Sequence, residues 1–259
     1  EISSTELDGF IILNIESSDR ANFRYMTGFD CSLGICIITA GESLLLTDSR
    51  YFESAKNNID HLNVVRIDDN PLKEASETIA GIDGNLFGIG QENVSLSNFR
   101  KLNKHTTEKE IKGMKNPIAN LRIIKDEYEI KMQGQAAQIT DKTVNFIINH
   151  AHPGITEKEL ALDIEFFMRK EGADELAFDT IVASGKNTAY PHITASDKKL
   201  DKGELLLVDI GARVDGYCSD LTRTLHLGKP TKMEKKIYQT VLKANEEGLK
   251  HLSPFRQAK

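Results

Sequence analysis

Apolar runs of strand length punctuate the first part of the chain. FIILNI at 10–15 is apolar throughout except for Asn14. SLGICIITA at 32–40 and SLLLT at 43–47 flank Gly41 and predict a hairpin. NVVRI at 63–67 and NLFGIG at 85–90 predict two further strands. Between them, Asn70 and Pro71 supply a cap and a first-turn proline for a helix, and Ser95 opens another. Strands alternating with helical stretches predict an α/β fold for this region.

The pattern breaks around Asn116 and Pro117, and a long helical periodicity starts after Lys125. A domain boundary is expected within 118–125, dividing the chain into residues 1–120 and 121–259. Asp126 caps the long helix, and Glu127 and Glu129 suit its positive end. His152, Pro153 and Gly154 end it. Thr156 and Glu159 form a capping box, Leu160, Ile164, Phe167 and Met168 follow at helical spacing, and Gly172 stops that helix. FDTIVASG at 178–185 is apolar. ELLLVDIGA at 204–212 and GYCSDLTRTL at 216–225 read as two strands around Val214, Asp215 and Gly216, where Asp-Gly signals a hairpin. Thr231 and Glu234 box the start of a helix running to about Lys250. Ser253 and Pro254 read as the opening of another helix close to Lys259, so the chain is expected to be truncated.

A net charge of −6 over 259 residues, with 28% charged and 39% hydrophobic, describes an ordinary globular chain. It offers no basic face for nucleic acid and no polybasic segment for anionic lipid. No apolar run has the length of a membrane span, and the acidic start EISSTELDG lacks the features of a signal peptide. The three cysteines, Cys31, Cys36 and Cys218, form no disulfide framework and fit a cytoplasmic protein. Cys31 and Cys36 read as small buried residues.

Candidate chemistry lies on the second hairpin. Asp209 interrupts an otherwise apolar strand, where an unpaired carboxylate costs several kcal/mol. Asp220 stands on the return strand. A two-residue turn at 215–216 would set 209 opposite 222, with Asp220 a diagonal neighbour on the same face. A four-residue turn at 213–216 would set 209 opposite 220. A three-residue turn would separate the carboxylates. Adjacent carboxylates repel unless a cation lies between them. Thr222 and Thr224 share the Asp220 face and could orient such a carboxylate, though β-branched threonine is also common strand filler. The plainer reading makes Asp215 and Asp220 turn or edge residues and Asp209 a lone buried acid. Spacing alone leaves both open.

LLLVDIGARVDGYCSDLTRT at 205–224 resembles the metal-binding hairpin of the creatinase, aminopeptidase P, prolidase and methionine aminopeptidase family, the pita-bread metallopeptidases. FDTIVASGKNTAYPH at 178–192 resembles the preceding segment of its Xaa-Pro branch. LRIIKDEYEIKMQGQAAQITDK at 121–142 resembles the entry helix of its catalytic domain. FRYMTGF at 23–29 and LLLTDSRYFESA at 44–55 resemble its N-terminal domain. The resemblance implies a creatinase-like α/β domain followed by an α+β pita-bread catalytic domain. It implies that Asp209 and Asp220 are metal ligands, that His192 is a catalytic residue contacting substrate, and that Phe178 lines the substrate pocket. Two divalent ions are implied, from Mn, Co, Fe or Zn with manganese favoured, together with a peptide substrate carrying proline after its N-terminal residue. A homodimer is also implied. The activity would be that of an Xaa-Pro aminopeptidase or dipeptidase, a hydroxide held by the ions attacking the Xaa-Pro carbonyl. One histidine and two glutamates of the ligand set are expected beyond Lys259, and this chain alone is expected to be inactive.

Three rival readings stand beside this one. A non-catalytic pita-bread module would bind peptides or proteins without hydrolysis. Creatinase shares the fold without metals, but both aspartates are retained here. A nucleotide-binding enzyme is disfavoured because the glycines of GIDGNLFGIG at 81–90 do not form GxGxxG and no P-loop lysine follows. Methionine aminopeptidase generally lacks a domain like residues 1–120.

Overall fold

Strands buried on both faces have continuous apolar sequences, and the first half of the chain uses them that way. The computed structural model describes residues 7–106 and 109–254. It divides into two units between Lys125 and Asp126.

In the first unit, β1 (Gly9–Ile15), β2 (Leu33–Thr39), β3 (Ser43–Asp48), β4 (Asn63–Ile67), β5 (Leu86–Gly90) and β6 (Glu110–Met114) form one mixed sheet, ordered β4-β3-β2-β1-β5-β6. The β1–β2 and β2–β3 pairs are antiparallel, whereas β3–β4, β1–β5 and β5–β6 are parallel. Alternate residues feed two cores. Ile11, Leu13, Ile35 and Ile37 pack with Leu72, Ile79 and Leu102. Phe10, Ile12, Cys36 and Leu45 pack with Phe23 and Ala55. The connecting helices are α1 (Arg20–Thr27), α2 (Phe52–Asn58), α3 (Pro71–Gly81), α4 (Leu96–His105) and α5 (Ile118–Leu121). Asn70 and Ser95 accept cap bonds from Lys73 and Asn98, at 3.2 and 3.1 Å. Burial pushes the thiols of Cys31 and Cys36 up to about 12, so neither is a thiolate at neutral pH.

The second unit opens with α6 (Glu127–His150) and α7 (Glu157–Lys170). Both have complete capping boxes, from Asp126 with Glu129 and from Thr156 with Glu159. The expected pair of strands is here four segments: β9 (Leu205–Ile210), β10 (Ala212–Val214), β11 (Tyr217–Cys218) and β12 (Leu221–His226). With β7 (Glu175–Leu176) and β8 (Ile181–Ser184) they make two small sheets, β11-β10-β7 and β12-β9-β8. Leu206, Val208 and Ile210 join Ile139, Leu160, Ile164 and Met168 in the core. Helix α8 (Lys232–Lys250) follows, with its Thr231 and Glu234 box in place. The helix expected at Ser253 and Pro254 would extend outside the described residues. No helix among the described residues is long and apolar enough to cross a membrane.

One buried carboxylate ties these parts together. Glu157, in the first turn of α7, is 0% exposed. Its Oε1 accepts from the Ser184 amide (2.7 Å) and hydroxyl (2.9 Å), and its Oε2 from the Ser196 amide (3.3 Å) and hydroxyl (2.6 Å). Asn187 Nδ2 donates to both oxygens, at 3.0 and 3.1 Å. Burial pushes the Glu157 pKa up, but the bonds from Ser196, Ser184 and Asn187 outweigh it, and the net shift is downward.

The sign of the pH effect follows. A lowered folded pKa stabilises the protein above the unfolded value of about 4.3 and ceases to do so as pH falls through the folded value. Glu157→Ala should therefore cost about 2–4 kcal/mol at pH 7, because it leaves buried donors unpaired. Urea unfolding at several pH values checks this: the gap to the parent protein should narrow steadily below about pH 4.3.

Candidate active site

The hairpin geometry starts from its turn. Asp215 and Gly216 both have positive φ, 49° and 85°, as a two-residue turn matched to strand twist requires. Val214 then pairs with Tyr217, and Arg213 with Cys218. Asp174 Oδ2 accepts from the Asp215 amide at 2.7 Å, and the Tyr128 hydroxyl bonds the Asp215 carboxylate. Tyr217 donates to Glu129 Oε1 at 3.0 Å. Burial, then that carboxylate, push the tyrosine up to about 12. The hairpin is thus pinned to the first turn of α6.

This register persists past a break. The Ser219 amide donates to the Ala212 carbonyl at 2.9 Å, while the Ser219 hydroxyl accepts from the Ala212 amide at 3.0 Å. A side-chain oxygen here replaces a backbone carbonyl, and the ladder resumes in β12 with Leu221 opposite Ile210 and Thr222 opposite Asp209. Of the turn lengths open to the sequence, the two-residue one is realised. By register, Asp220 is the diagonal neighbour of Asp209, but it lies in the break just before β12 rather than within a strand.

Asp209 is half-buried, a correction to its expected place as a buried strand-centre acid. Its strand alternates, with Leu206, Val208 and Ile210 toward the core and Leu205, Leu207 and Asp209 toward the more open face. Thr222 Oγ1 donates to Asp209 Oδ1 at 2.7 Å, fixing the carboxylate's orientation. Asp220 is exposed.

The neighbouring strand brings Phe178 to the same break. Ala177 donates to the Gly211 carbonyl at 2.8 Å, and Ile181 pairs with Asp209. Phe178, Asp179 and Thr180 therefore stand against Ile210 alone, and the chain bulges. The half-buried Phe178 lies against Gly211: a Cβ there would be 2.6 Å from Phe178 Cε1 and 2.6 Å from the Ser219 carbonyl oxygen. His192 is exposed, in the loop between a 3-10 turn at Gly185–Ala189 and β9.

The structure thus brings Asp209, Thr222 and Phe178 to the break, with Asp220 inside it, and places His192 on a separate loop. Two carboxylates are hard oxygen donors suited to a divalent cation, and Asp209 is already oriented for one. Among the described residues, no group of three or more His, Cys, Asp or Glu could hold a metal ion. Sequence reasoning missed Glu157, because an acid in a first helical turn ordinarily serves the helix dipole from the surface. It also missed Ser219, whose replacement of a carbonyl has no sequence signature.

Residues 131–259 match metallopeptidase family M24, and residues 1–124 match the creatinase/prolidase N-terminal domain. An uncharacterized peptidase of Bacillus subtilis is 34% identical over 248 residues, 96% of this chain and 69% of its own length. The Xaa-Pro dipeptidase of Pyrococcus horikoshii is 35% identical over 240 residues, 92% of this chain and 66% of its own length. The crystal structure of an X-Pro aminopeptidase from Thermotoga maritima superposes with a TM-score of 0.89 at 36% identity, covering 96% of this chain and 70% of the other. The chain thus spans about two thirds of the length of these relatives.

Gly211 carries the local geometry. Its replacement by alanine sets a methyl against a backbone carbonyl that cannot swing aside. Gly211→Ala is expected to cost about 1–3 kcal/mol, read as a lower midpoint in urea unfolding.

Proposed function

Because the chain belongs to metallopeptidase family M24, with a creatinase/prolidase N-terminal domain ahead of the M24 portion, we propose that it serves metal-dependent hydrolysis of Xaa-Pro peptide bonds. The observation that carries this reading is the Thr222–Asp209 hydrogen bond on the more open sheet face, one diagonal from Asp220. A hydroxyl that fixes one carboxylate oxygen and leaves the other free is what a ligand carboxylate needs.

In this reading Asp209 and Asp220 would be among the ligands of two divalent ions, manganese first among them. When bound, the ions supply Lewis acidity and lower the pKa of a water. The chain's own residues bind and orient around that chemistry. Asp209 and Asp220 provide negative charge at fixed positions. Thr222 removes the rotational freedom of Asp209. His192 donates a hydrogen bond to the carbonyl oxygen as it gains charge in the transition state. Phe178, held against Gly211 beside the carboxylates, offers an apolar ring edge to the substrate. A proline nitrogen bears no N–H in the scissile amide, so recognition by shape suits it.

Asp209→Asn and Asp220→Asn in the full-length gene product should each abolish stoichiometric metal binding and Xaa-Pro cleavage. Thr222→Val should weaken metal affinity by about 10- to 100-fold, as loss of a ligand-orienting partner does. Metal analysis by mass spectrometry and hydrolysis of Xaa-Pro dipeptides and longer peptides check both. Retention of full metal content by either Asn variant would sink the ligand assignment.

A further inference from the structure

We propose that Glu157 is a positioning residue for this peptidase reaction, its buried carboxylate clamping together both ends of the loop that carries His192. The inference rests on the role given to His192 above.

The loop leaves β8 at Ser184 and returns at Ser196. Each of these serines offers the same pair of donors, a backbone amide and a hydroxyl, and each pair meets one oxygen of Glu157. Asn187, in the 3-10 turn that begins the loop, bridges both oxygens. One rigid group therefore closes the base of an otherwise open segment. Its own backbone is bound to the returning stem: the Glu157 amide donates to the Lys198 carbonyl and the Lys158 amide to the Ser196 carbonyl, both at 3.0 Å. Lys198 braces the outside, donating to Ser184 Oγ at 2.9 Å and to Glu204 Oε2 at 2.6 Å. Glu204 immediately precedes β9, the strand that carries Asp209.

The Glu157 carboxylate makes its side-chain bonds to Ser184, Asn187 and Ser196, not to Asp209. The β8–β9–β12 ladder is held by its backbone pairs and by Leu206 and Val208 in the core. Releasing Glu157 should therefore free His192 while leaving the carboxylates in register. A misplacement of about 1 Å in a group that meets the transition state costs about 100-fold, so the loss should fall on kcat.

Both carboxylate oxygens matter as acceptors. Five donor groups converge on the carboxylate, so an amide would turn its own NH2 against at least one of them. Glu157→Gln keeps the shape and replaces one of the two acceptor oxygens with a donor; Ser196→Ala removes one hydroxyl and is the milder variant should Glu157→Gln fold poorly.

The test uses the full-length, metal-loaded protein with Glu157→Gln, Ser196→Ala, His192→Ala and the two double variants. For Glu157→Gln, kcat on an Xaa-Pro peptide should fall about 10- to 100-fold with bound metal unchanged. Amide hydrogen exchange should accelerate across 186–195 and stay slow across 205–210 and 221–226. In the His192→Ala background, Glu157→Gln should cost less than about twofold further, the non-additivity of two changes acting through one group. Fully additive losses, or unchanged exchange in the loop, would overturn the proposal. If His192→Ala alone leaves kcat intact, the histidine's assigned role fails, and the catalytic effect claimed for Glu157 fails with it. The exchange data would then show separately whether the clamp exists.

Discussion

The alternation of β9 between a closed and a more open face is the constraint on which the candidate site depends. Burying Leu206, Val208 and Ile210 contributes about 1.5–3 kcal/mol per side chain, and that preference fixes which residues face out. A slip of one position would carry Asp209 into an apolar core and expose the three aliphatic residues. Both terms oppose the slip. The register that stabilises the unit thereby also selects the face on which a carboxylate can meet a cation.

Holding that register through a break takes more than burial. At Gly211 the neighbouring strands part into two small sheets, and three residues stand against one on the Phe178 side. On the other side Ser219 keeps the pairing in step by using its hydroxyl as the acceptor for Ala212. The absent Cβ of Gly211 lets the Phe178 ring and the Ser219 carbonyl approach from opposite strands. The break lets Asp220 sit outside a strand, exposed, while Asp209 stays within one.

What the sequence announces is what local chemistry determines. The caps at Asn70, Ser95, Thr156 and Thr231 are settled within four residues, and all form as read. The apolar strands β1, β2, β3 and β5 are equally plain, since each is a run of mostly buried side chains, whereas β4 reads as a strand although only Ile67 of its residues is buried. β6 escapes because EIKGM sets Glu110 and Lys112 among few apolar residues; its place comes from pairing with β5. Short helices such as α2, with one buried residue, have too little apolar face to show a period. At the candidate site, Asp209 and its possible partners were legible as strand parity, but not the turn length that chooses between them. The Ser219 substitution and the bulge at 178–180 arise from contacts between distant segments, which periodicity does not encode.

Two acids of the second unit show how burial and bonding divide structural from chemical roles. Glu157 is fully buried and takes hydrogen bonds from five donor groups, while an ionised carboxylate offers about four lone-pair sites. It has no capacity left for a cation, and protonation would cost it several of those bonds. Among the described residues, Asp209 accepts one side-chain hydrogen bond, from Thr222, and is half-open. Its remaining lone pairs are available. A saturated carboxylate can only hold protein to protein, whereas an oriented and under-used one can hold protein to something else. By that accounting Glu157 belongs to the scaffold of the loop, and Asp209 is the acid with acceptor capacity left over, as its proposed ligand role requires.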